Sequence, residues 1–203
     1  MKKTLYLILI IIGCICTNNA YAQKLDGLVS FGWQMGQTTS DTKDYANEFS
    51  FKGGSFLAEW FIEANLAIGL EVNYSHFYEE VGSQTWEFEN ATLTGDSYKY
   101  FDAFPILLMG KYYLNLDVPD QKIVPYAGFA MGTFYVKERL KIGSLSIQDD
   151  GWVFGLKPTI GVMSPIEERL WLYTEASYYK TFEASNIEDH TYFTLVVGLR
   201  IGF

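Results

Sequence analysis

Apolar and polar residues alternate along most of the chain from residue 25 onward. The clearest example is the segment 192–203, in which one parity of positions is entirely apolar. These positions are Phe193, Leu195, Val197, Leu199, Ile201 and Phe203. A period of two places successive side chains on opposite faces of a β-strand, whereas an amphipathic helix repeats every three or four residues. The pattern therefore predicts strands with one apolar face and one small or polar face.

Eight such segments can be recognised along the chain. They lie near Val29–Gly36, Ser50–Ile62, Leu66–Tyr78, Tyr98–Leu114, Ile123–Val136, Gly151–Met163, Leu170–Thr181 and Tyr192–Phe203. The connections after the second, fourth and sixth segments are short, and the other connections are longer and polar. This alternation, with an even number of strands, is typical of a transmembrane barrel with both termini on the periplasmic side. Three prolines, Pro105, Pro125 and Pro158, fall inside or at the start of segments, where strands tolerate proline only at ends or bulges.

The N-terminal residues have the organisation of an export signal. Two lysines precede the apolar run Leu5–Cys16, and a small-x-small motif ends at Ala22. The run is too short to span a membrane as a helix, which needs about 20 residues, and its flanks are those of a signal peptide. We predict a signal peptide over residues 1–22, cleavage between Ala22 and Gln23, and a barrel domain over residues 23–203.

Both cysteines of the chain, Cys14 and Cys16, lie in this apolar run. The predicted mature domain therefore has no thiol, which excludes disulfides, cysteine-ligated zinc and a cysteine nucleophile. A second interpretation stays open, because Ile11-Ile12-Gly13-Cys14 resembles a bacterial lipobox. In that case Cys14 would become a lipidated N-terminus.

The location of the charges decides which face of the barrel meets lipid. A soluble barrel must hydrate its whole exterior, and would scatter charges along every strand. Here 123–136 has no charged residue, 151–166 has only Lys157, and 191–203 has only Arg200. Such apolar faces are expected to point outward into a membrane. The net charge of −9 and the pI of about 4.7 argue against nucleic acid as a partner.

If the apolar faces point outward, the charges in the middle of the strands must point inward. The candidate interior charges are Glu59, Glu71, Lys111, Lys157, Glu175 and Arg200. Three acidic and three basic side chains balance, and buried charges are costly unless they are paired. We predict a salt-bridge network that fills the narrow interior of an eight-stranded barrel. The alternative is a charged constriction that selects ions.

Aromatic residues concentrate toward the ends of the predicted strands, as in the interfacial girdles of membrane proteins. The predicted girdle residues are Trp33, Trp60, Trp152, Trp171, Tyr112, Tyr113, Tyr178 and Tyr179.

The sequence offers little to support catalysis. Ser75 and His76, with Glu79 and Glu80 nearby, suggest a hydrolase triad, but adjacent strand residues point to opposite faces and cannot readily act as nucleophile and base. The second histidine, His190, is interpreted as a solvated residue at the edge of a loop. We therefore predict no catalytic residue, no cofactor and no metal site.

The predicted outer loops are acidic, and divalent cations could bridge them to lipopolysaccharide phosphates. The acidic residues are Asp41, Asp44, Glu48, Glu79, Glu80, Glu87, Glu89, Asp96, Glu183, Glu188 and Asp189. Their spacing matches no calcium-binding loop, so we interpret them as a solvated acidic rim.

Several blocks of sequence resemble a known family. The order Phe104–Leu108, Lys111–Leu114, Pro125–Gly128 and Gly155–Gly161 resembles the porin-family or PorT-like outer-membrane β-barrel domains, over residues 25–203. The resemblance implies an eight-stranded, antiparallel, up-and-down transmembrane β-barrel. It also implies that the last strand, ending at Phe203, is the signal that the barrel-assembly machinery reads.

We expect an outer-membrane protein with a plugged lumen and a structural, adhesive or secretion-accessory role. The expected partners are outer-membrane lipid, lipopolysaccharide, the barrel-assembly machinery, and envelope or secretion proteins. A small-solute or ion porin and a lipid-modifying enzyme remain as alternatives.

Overall fold

The structure of the protein is a computed structural model that describes residues 26–40, 42, 46–88, 91–114, 122–143, 145–184 and 187–203. The strands are β1 (Gly27–Thr39), β2 (Ser50–Glu63), β3 (Leu66–Phe88), β4 (Ala91–Tyr113), β5 (Val124–Ile142), β6 (Leu145–Glu167), β7 (Leu170–Thr181) and β8 (Thr191–Gly202). Each strand is antiparallel to its neighbours and the eight form a closed barrel. The predicted fold class is confirmed. Within the described ranges, no helix is long and apolar enough to cross a membrane.

Three predictions lie outside the described residues. They concern the signal peptide over residues 1–22, its cleavage between Ala22 and Gln23, and the alternative lipidation of Cys14. They stay predictions.

The seam between β1 and β8 closes the barrel. Its register runs without interruption from Leu28 opposite Gly202 to Thr39 opposite Thr191. Beyond it, the backbone N–H of Asp26 donates to the carbonyl of Phe203 at 2.9 Å, and the N–H of Phe203 donates to Gly27 O at 3.1 Å. We call this end of the barrel, with the short turns at 64–65 and 168–169, the terminal end.

The two faces of the wall follow the predicted alternation. On β1, Phe31 and Trp33 are exposed on the outside of the barrel, whereas Ser30 and Gln34 are buried inside it. On β8, Phe193, Leu195, Val197, Leu199 and Ile201 are all exposed. The apolar residues therefore form the outer surface of the barrel, which is the arrangement that a lipid environment requires.

The prediction of long polar loops after β3 and β5 is wrong. The two hairpins continue as strands, so only residues 89–90 separate β3 from β4 and only 143–144 separate β5 from β6. Gly143 has a φ of +57°, in the left-handed region that tight hairpin turns use. The connections after β1 and β7, by contrast, are longer, at 40–49 and 182–190.

The four lengthened strands project beyond the barrel as a sheet, which we call the ribbon (76–88, 91–102, 137–142 and 145–150). Pairing of β4 with β5 continues as far as Ser97 opposite Ile142. Pairing of β2 with β3 ends at Lys52 opposite His76, and β6 meets β7 only from Gly155 onward. The ribbon therefore stands on one side of the barrel, at the end that we call the ribbon end.

Two prolines interrupt the hydrogen-bonded ladders inside the wall. Pro105 lies in the middle of β4, and the β3–β4 pairing skips the positions between Val72 and Ser75 without a change of register. Pro158 has the same effect on β6, where pairing with β7 skips from Leu156 to Thr159. A proline has no N–H to donate, so each gap falls where the donor is missing. The expectation that these prolines sit at strand ends or bulges is wrong for both.

Aromatic residues mark the edge of the apolar surface at the ribbon end. Phe104 lies opposite Tyr135, and Tyr135 lies opposite Trp152, with Tyr74 at the same level on β3. We call these four residues the aromatic row. Trp33 belongs to the same rim and donates from Nε1 to the carbonyl of Phe51 at 2.7 Å.

The predicted girdle was only partly right. Five of its members are exposed on the outer face: Trp33, Trp60, Trp152, Tyr112 and Tyr178. Tyr113, Tyr179 and Trp171 are buried inside the barrel. Adjacent strand residues face opposite sides, so Tyr112 and Tyr178 reach the membrane surface while their neighbours Tyr113 and Tyr179 reach the interior.

We predict that Phe203 is required for assembly, because its backbone holds the β1–β8 seam and its ring covers Gly27. Deletion of Phe203, or Phe203→Asp, should lower the amount of folded, heat-modifiable protein in outer-membrane fractions and increase degraded or aggregated protein. Phe203→Tyr keeps both features and should assemble normally. Normal levels of the deletion variant in the outer membrane would contradict the prediction.

Candidate functional site: the charged interior of the barrel

The six candidate interior charges all point into the barrel. They come from six different strands: Glu59 from β2, Glu71 from β3, Lys111 from β4, Lys157 from β6, Glu175 from β7 and Arg200 from β8. None of the six is more than 3% exposed. For Lys111, the sequence alone leaves the inward or outward direction open, because the alternation of β4 is ambiguous around residues 102–105. The unbroken register from Leu66 opposite Tyr112 to Glu80 opposite Tyr98 gives Lys111 an inward position.

Glu175 is the centre of the charge network. Its Oε2 accepts from Lys111 Nζ at 2.7 Å, and its Oε1 accepts from Lys157 Nζ at 2.9 Å. Arg200 Nη2, from the neighbouring strand β8, lies 3.4 Å from Oε2. Tyr126 also donates its hydroxyl to Oε2, at 3.1 Å. One carboxylate therefore contacts three cations from three strands.

The other two carboxylates pair at the edges of this centre. Glu71 accepts from Lys157 Nζ, and the amide of Asn73 donates to Glu71 Oε1 at 2.9 Å. Glu59 accepts from the hydroxyl of Tyr113, and its Oε2 lies 3.9 Å from Lys111 Nζ. Each of the three acids thus has at least one cation within 4 Å.

A shell of inward tyrosines, which the sequence reasoning missed, surrounds the charges. The guanidinium carbon of Arg200 lies 4.3 Å from the ring centroids of both Tyr126 and Tyr173. Arg200 also donates to the hydroxyls of Tyr126 at 2.7 Å and Tyr113 at 3.0 Å. Strand parity could have found part of this shell, because Tyr113 follows Lys111 by two positions and Tyr173 precedes Glu175 by two.

Small residues on the inner face make room for these rings. A Cβ at Gly161 would lie 2.3 Å from Tyr126 Cζ and 2.7 Å from the carbonyl oxygen of Thr174. Tyr126 can therefore reach Glu175 only because residue 161 has no side chain.

Apolar side chains lie on both sides of the charge network. Toward the ribbon end, a cluster includes Phe77, Phe101, Phe134, Tyr179 and Tyr192. Ala46 and Ile187, from the connections after β1 and β7, pack in the same cluster, so both connections fold over that end. Toward the terminal end, a second cluster includes Leu28, Ala67, Val124, Met163 and Trp171.

Some buried polar atoms in this interior have no hydrogen-bond partner among the described residues. They are Ser30 Oγ, Glu59 Oε2, Glu71 Oε2, Asn73 Oδ1, Tyr192 OH, Thr194 Oγ1 and Arg200 Nε. Buried polar groups in proteins are normally satisfied by protein or by ordered water. We therefore expect ordered water molecules between these side chains.

The two histidines lie in different surroundings. Ser75 is buried inside the barrel, where Gln34 Nε2 donates to its hydroxyl at 2.6 Å, while His76 on the outer side pairs with Asp102 at 2.6 Å. They cannot act as nucleophile and base, as the strand geometry predicted. The interpretation of His190 as solvated is wrong, because it is 3% exposed and its Nε2 lies 3.0 Å from Glu138.

Several acidic side chains at the ribbon end have partners within the protein. Glu79 accepts from the backbone N–H of Asn47 at 2.9 Å, and Asp189 lies 3.6 Å from Lys180. Within the described part of the chain, no group of three or more histidine, cysteine or acidic residues has metal-binding geometry. Asp41, Asp44 and Glu89 lie outside the described residues.

Residues 7–200 match the family described as the outer membrane protein beta-barrel domain. The chain belongs to this family. Membership indicates the outer membrane as the location of the barrel. No curated protein sequence matches the chain.

Solved structures of small outer-membrane barrels are similar to this family member. Neisserial surface protein A has a TM-score of 0.57 at 16% identity, covering 88% of this chain and 97% of that one. The attachment invasion locus protein Ail of Yersinia pestis has a TM-score of 0.53 at 10% identity, covering 89% and 100%. OprG of Pseudomonas aeruginosa has a TM-score of 0.50 at 13% identity, covering 89% and 97%. At these identities the likeness concerns the fold.

We predict that Arg200→Ala strongly destabilises the barrel, because it leaves three buried acids facing two buried cations. Breaking a buried pair costs about 3–5 kcal/mol, which interior water should reduce. The double variant Arg200→Ala/Glu175→Gln leaves two acids and two cations. Its loss of unfolding free energy should therefore be smaller than the sum of the losses in the two single variants. The free energy of unfolding in lipid vesicles measures both, and Arg169→Ala, at an exposed turn, is the control. Additive losses would show that Arg200 and Glu175 do not interact.

Proposed function

We propose that the protein is a non-conducting, non-catalytic barrel that holds its ribbon on the outer surface of the outer membrane, where the ribbon contacts another macromolecule. In this proposal the role is adhesive or that of an accessory to secretion. The observation that carries it is the projection of four strands beyond the barrel wall.

The interior supports a closed lumen. Six charges from six strands pair with one another, and large tyrosines occupy the space between them. Apolar clusters lie toward both ends, and the one at the ribbon end includes residues of two connections. An eight-stranded barrel is just wide enough for its own side chains. Ions would have to cross both apolar layers and separate buried ion pairs.

The orientation follows from the unequal ends of the barrel. The terminal end has the short turns 64–65 and 168–169, whereas the strands at the other end extend as the ribbon. Bacterial outer-membrane barrels have short periplasmic turns and longer extracellular segments. We therefore assign the ribbon to the cell surface and both ends of the mature chain to the periplasm.

The edges of the ribbon are suited to contact with another protein. Within the described residues, β6 has no backbone partner on its far side before Phe154, whose carbonyl accepts from the N–H of Phe182 at 2.9 Å. Leu145–Asp150 is exposed throughout. An open strand edge presents unpaired N–H and C=O groups that an extended segment of a partner can pair with. One similar structure is named an attachment invasion locus protein, a name that agrees with an adhesive role.

We predict that the purified protein gives no steady ionic current in planar lipid bilayers, because paired charges and apolar layers fill its interior. An open porin reconstituted in the same way is the control for insertion and sensitivity. Stable single-channel steps from the unmodified protein would replace the closed-barrel proposal with a pore.

A single introduced cysteine tests both orientation and partner contact, because residues 23–203 contain no cysteine. Ser146→Cys, in the ribbon, should react on intact cells with a membrane-impermeant maleimide that carries a photo-crosslinker, and irradiation should join it to another cell-surface or envelope protein. Glu63→Cys, at the terminal end, should stay unlabelled until the outer membrane is permeabilised. Labelling of residue 63 alone would reverse the orientation, and labelling of residue 146 without any adduct would argue against a protein partner.

A further inference from the structure

The outward face of the ribbon carries an ordered grid of side chains across β3, β4, β5 and β6. Three successive cross-strand rows follow the aromatic row: His76, Asp102, Lys137 and Asp150; then Tyr78, Tyr100, Arg139 and Gln148; then Glu80, Tyr98, Lys141 and Ser146. All twelve residues occupy the strand positions that face lipid within the barrel wall. Beyond the aromatic row, the residues at these positions are no longer apolar but aromatic, charged or polar.

Three tyrosines form the centre of this grid. The rings of Tyr78 and Tyr98 are nearly parallel, with centroids 6.3 Å apart and 17° between their planes, and Tyr78 and Tyr100 have centroids 5.6 Å apart. All three side chains are partly exposed. Partial burial and the hydrogen bond to Glu80 raise the pKa of Tyr78 to about 12, so its phenol stays neutral at any physiological pH. The three rings form an aromatic platform.

Two cations from β5 flank this platform. Arg139 lies directly opposite Tyr100 and Lys141 directly opposite Tyr98. Arg139 Cζ and Lys141 Nζ are each 5.5 Å from the centroid of the Tyr100 ring. We call Tyr78, Tyr98, Tyr100, Arg139 and Lys141 the tyrosine face.

The cations of the tyrosine face retain capacity for an anion. Within the described residues, Lys141 has no ion-pair partner, and its Nζ lies over the Tyr100 ring. Arg139 Nη2 approaches Asp102 only at 3.7 Å.

The carboxylates of the grid, in contrast, already have closer partners. Asp102 contacts His76 at 2.6 Å and accepts from the hydroxyl of Tyr74 at 2.8 Å. Asp150 accepts from the hydroxyl of Tyr135 at 2.6 Å. Glu80 accepts from the hydroxyl of Tyr78 at 3.2 Å. Each acidic group of the grid therefore has a hydrogen-bond partner, whereas Lys141 and the remaining N–H groups of Arg139 are left to meet a ligand.

The distance of the tyrosine face from the aromatic row indicates which layer of the membrane it contacts. Tyr100 lies four residues beyond Phe104, the β4 member of the aromatic row. At about 3.3 Å per residue and a strand tilt of about 40°, the tyrosine face lies roughly 10 Å beyond the aromatic row. Acyl chains end near the aromatic row. The neighbouring layer at this height is the headgroup layer of the outer leaflet.

We propose that the tyrosine face binds the phosphorylated saccharide headgroup of an outer-leaflet glycolipid, such as the inner sugars of lipopolysaccharide. The proposal rests on the orientation given under Proposed function. A sugar ring presents C–H groups that pack against the electron-rich faces of aromatic rings. Arg139 can form paired hydrogen bonds to a phosphate, and Lys141 adds a second positive charge.

The test uses full-length mature protein in detergent micelles and the deacylated, phosphorylated saccharide of rough-type lipopolysaccharide as the soluble probe. Binding is measured by isothermal titration calorimetry. Tyr100→Ala, Arg139→Gln and Lys141→Gln should each weaken binding roughly fivefold to tenfold, the size expected for loss of one stacking or charge-assisted contact. Tyr100→Phe keeps the ring and should bind as the unmodified protein does.

Matched controls separate this site from general effects. Lys180→Gln removes an exposed cation paired with Asp189 at 3.6 Å, and Tyr112→Ala removes an exposed tyrosine at the terminal end. Neither should change binding. Retained heat-modifiability shows that each variant is folded. If Tyr100→Ala does not fold, Arg139→Gln and Lys141→Gln carry the test.

Several results would overturn the proposal. Binding of intact lipopolysaccharide but not of its deacylated saccharide would place the contact at the acyl chains. If sulfated dextran binds as tightly as the deacylated saccharide, and Tyr100→Ala does not weaken its binding, the tyrosine face binds anions without specificity. Labelling of Ser146→Cys on intact cells without any saccharide binding would reject this inference and leave the proposed orientation intact.

Discussion

The structure depends on one constraint: a β-strand has two faces, and a bilayer accepts only one kind of side chain. Because the outer face of the wall must be apolar, every charge in the membrane-spanning part of a strand has to point inward. Six such charges enter a space that an eight-stranded ring makes narrow. Isolated buried charges are prohibitively costly, so the interior has to bring opposite charges together. The contacts of Glu175 with Lys111, Lys157 and Arg200 are the result.

The tyrosines make this interior compatible with close packing. Charged side chains alone would leave gaps and unsatisfied hydrogen-bonding groups between the strands. The rings of Tyr126 and Tyr173 enclose the Arg200 guanidinium, and the hydroxyls of Tyr113 and Tyr126 accept its N–H groups. Each tyrosine thus contributes apolar area as well as a polar group. The polarity of the molecule is inverted relative to a soluble protein, with its ion pairs in the centre and its apolar side chains outside.

The same strands serve two different surroundings along their length. On β4, Leu108, Ile106 and Phe104 face outward within the apolar surface, and Asp102 and Tyr100 continue the same parity beyond it. The register does not change at this boundary, so the ribbon is a direct continuation of the wall. A surface built on paired strands holds its side chains at defined spacings, which a loop of the same length would not do. This rigidity supports a recognition role for the ribbon.

Local pattern was sufficient to determine which residues face the interior on the strands with clear alternation. Alternation depends only on neighbouring positions in one strand, so the parity of Glu59, Glu71, Lys157, Glu175 and Arg200 could be read directly from the sequence. Parity also decided that Ser75 and His76 point apart. The number of strands and the closed antiparallel barrel followed from the repetition of the pattern.

Contacts between strands were decided only by the tertiary structure, because they depend on the register of segments that are distant in sequence. His190 is buried only because its connection folds over the ribbon end toward Glu138 on β5. Polar residues at 79–97 resembled a loop, since nothing local distinguishes a solvated hairpin from a loop until cross-strand hydrogen bonds form. Likewise, clustering at strand ends did not separate Tyr112 from Tyr113. Which of two adjacent rings meets lipid, and which meets Arg200, depends on the pairing of β4 with both neighbouring strands.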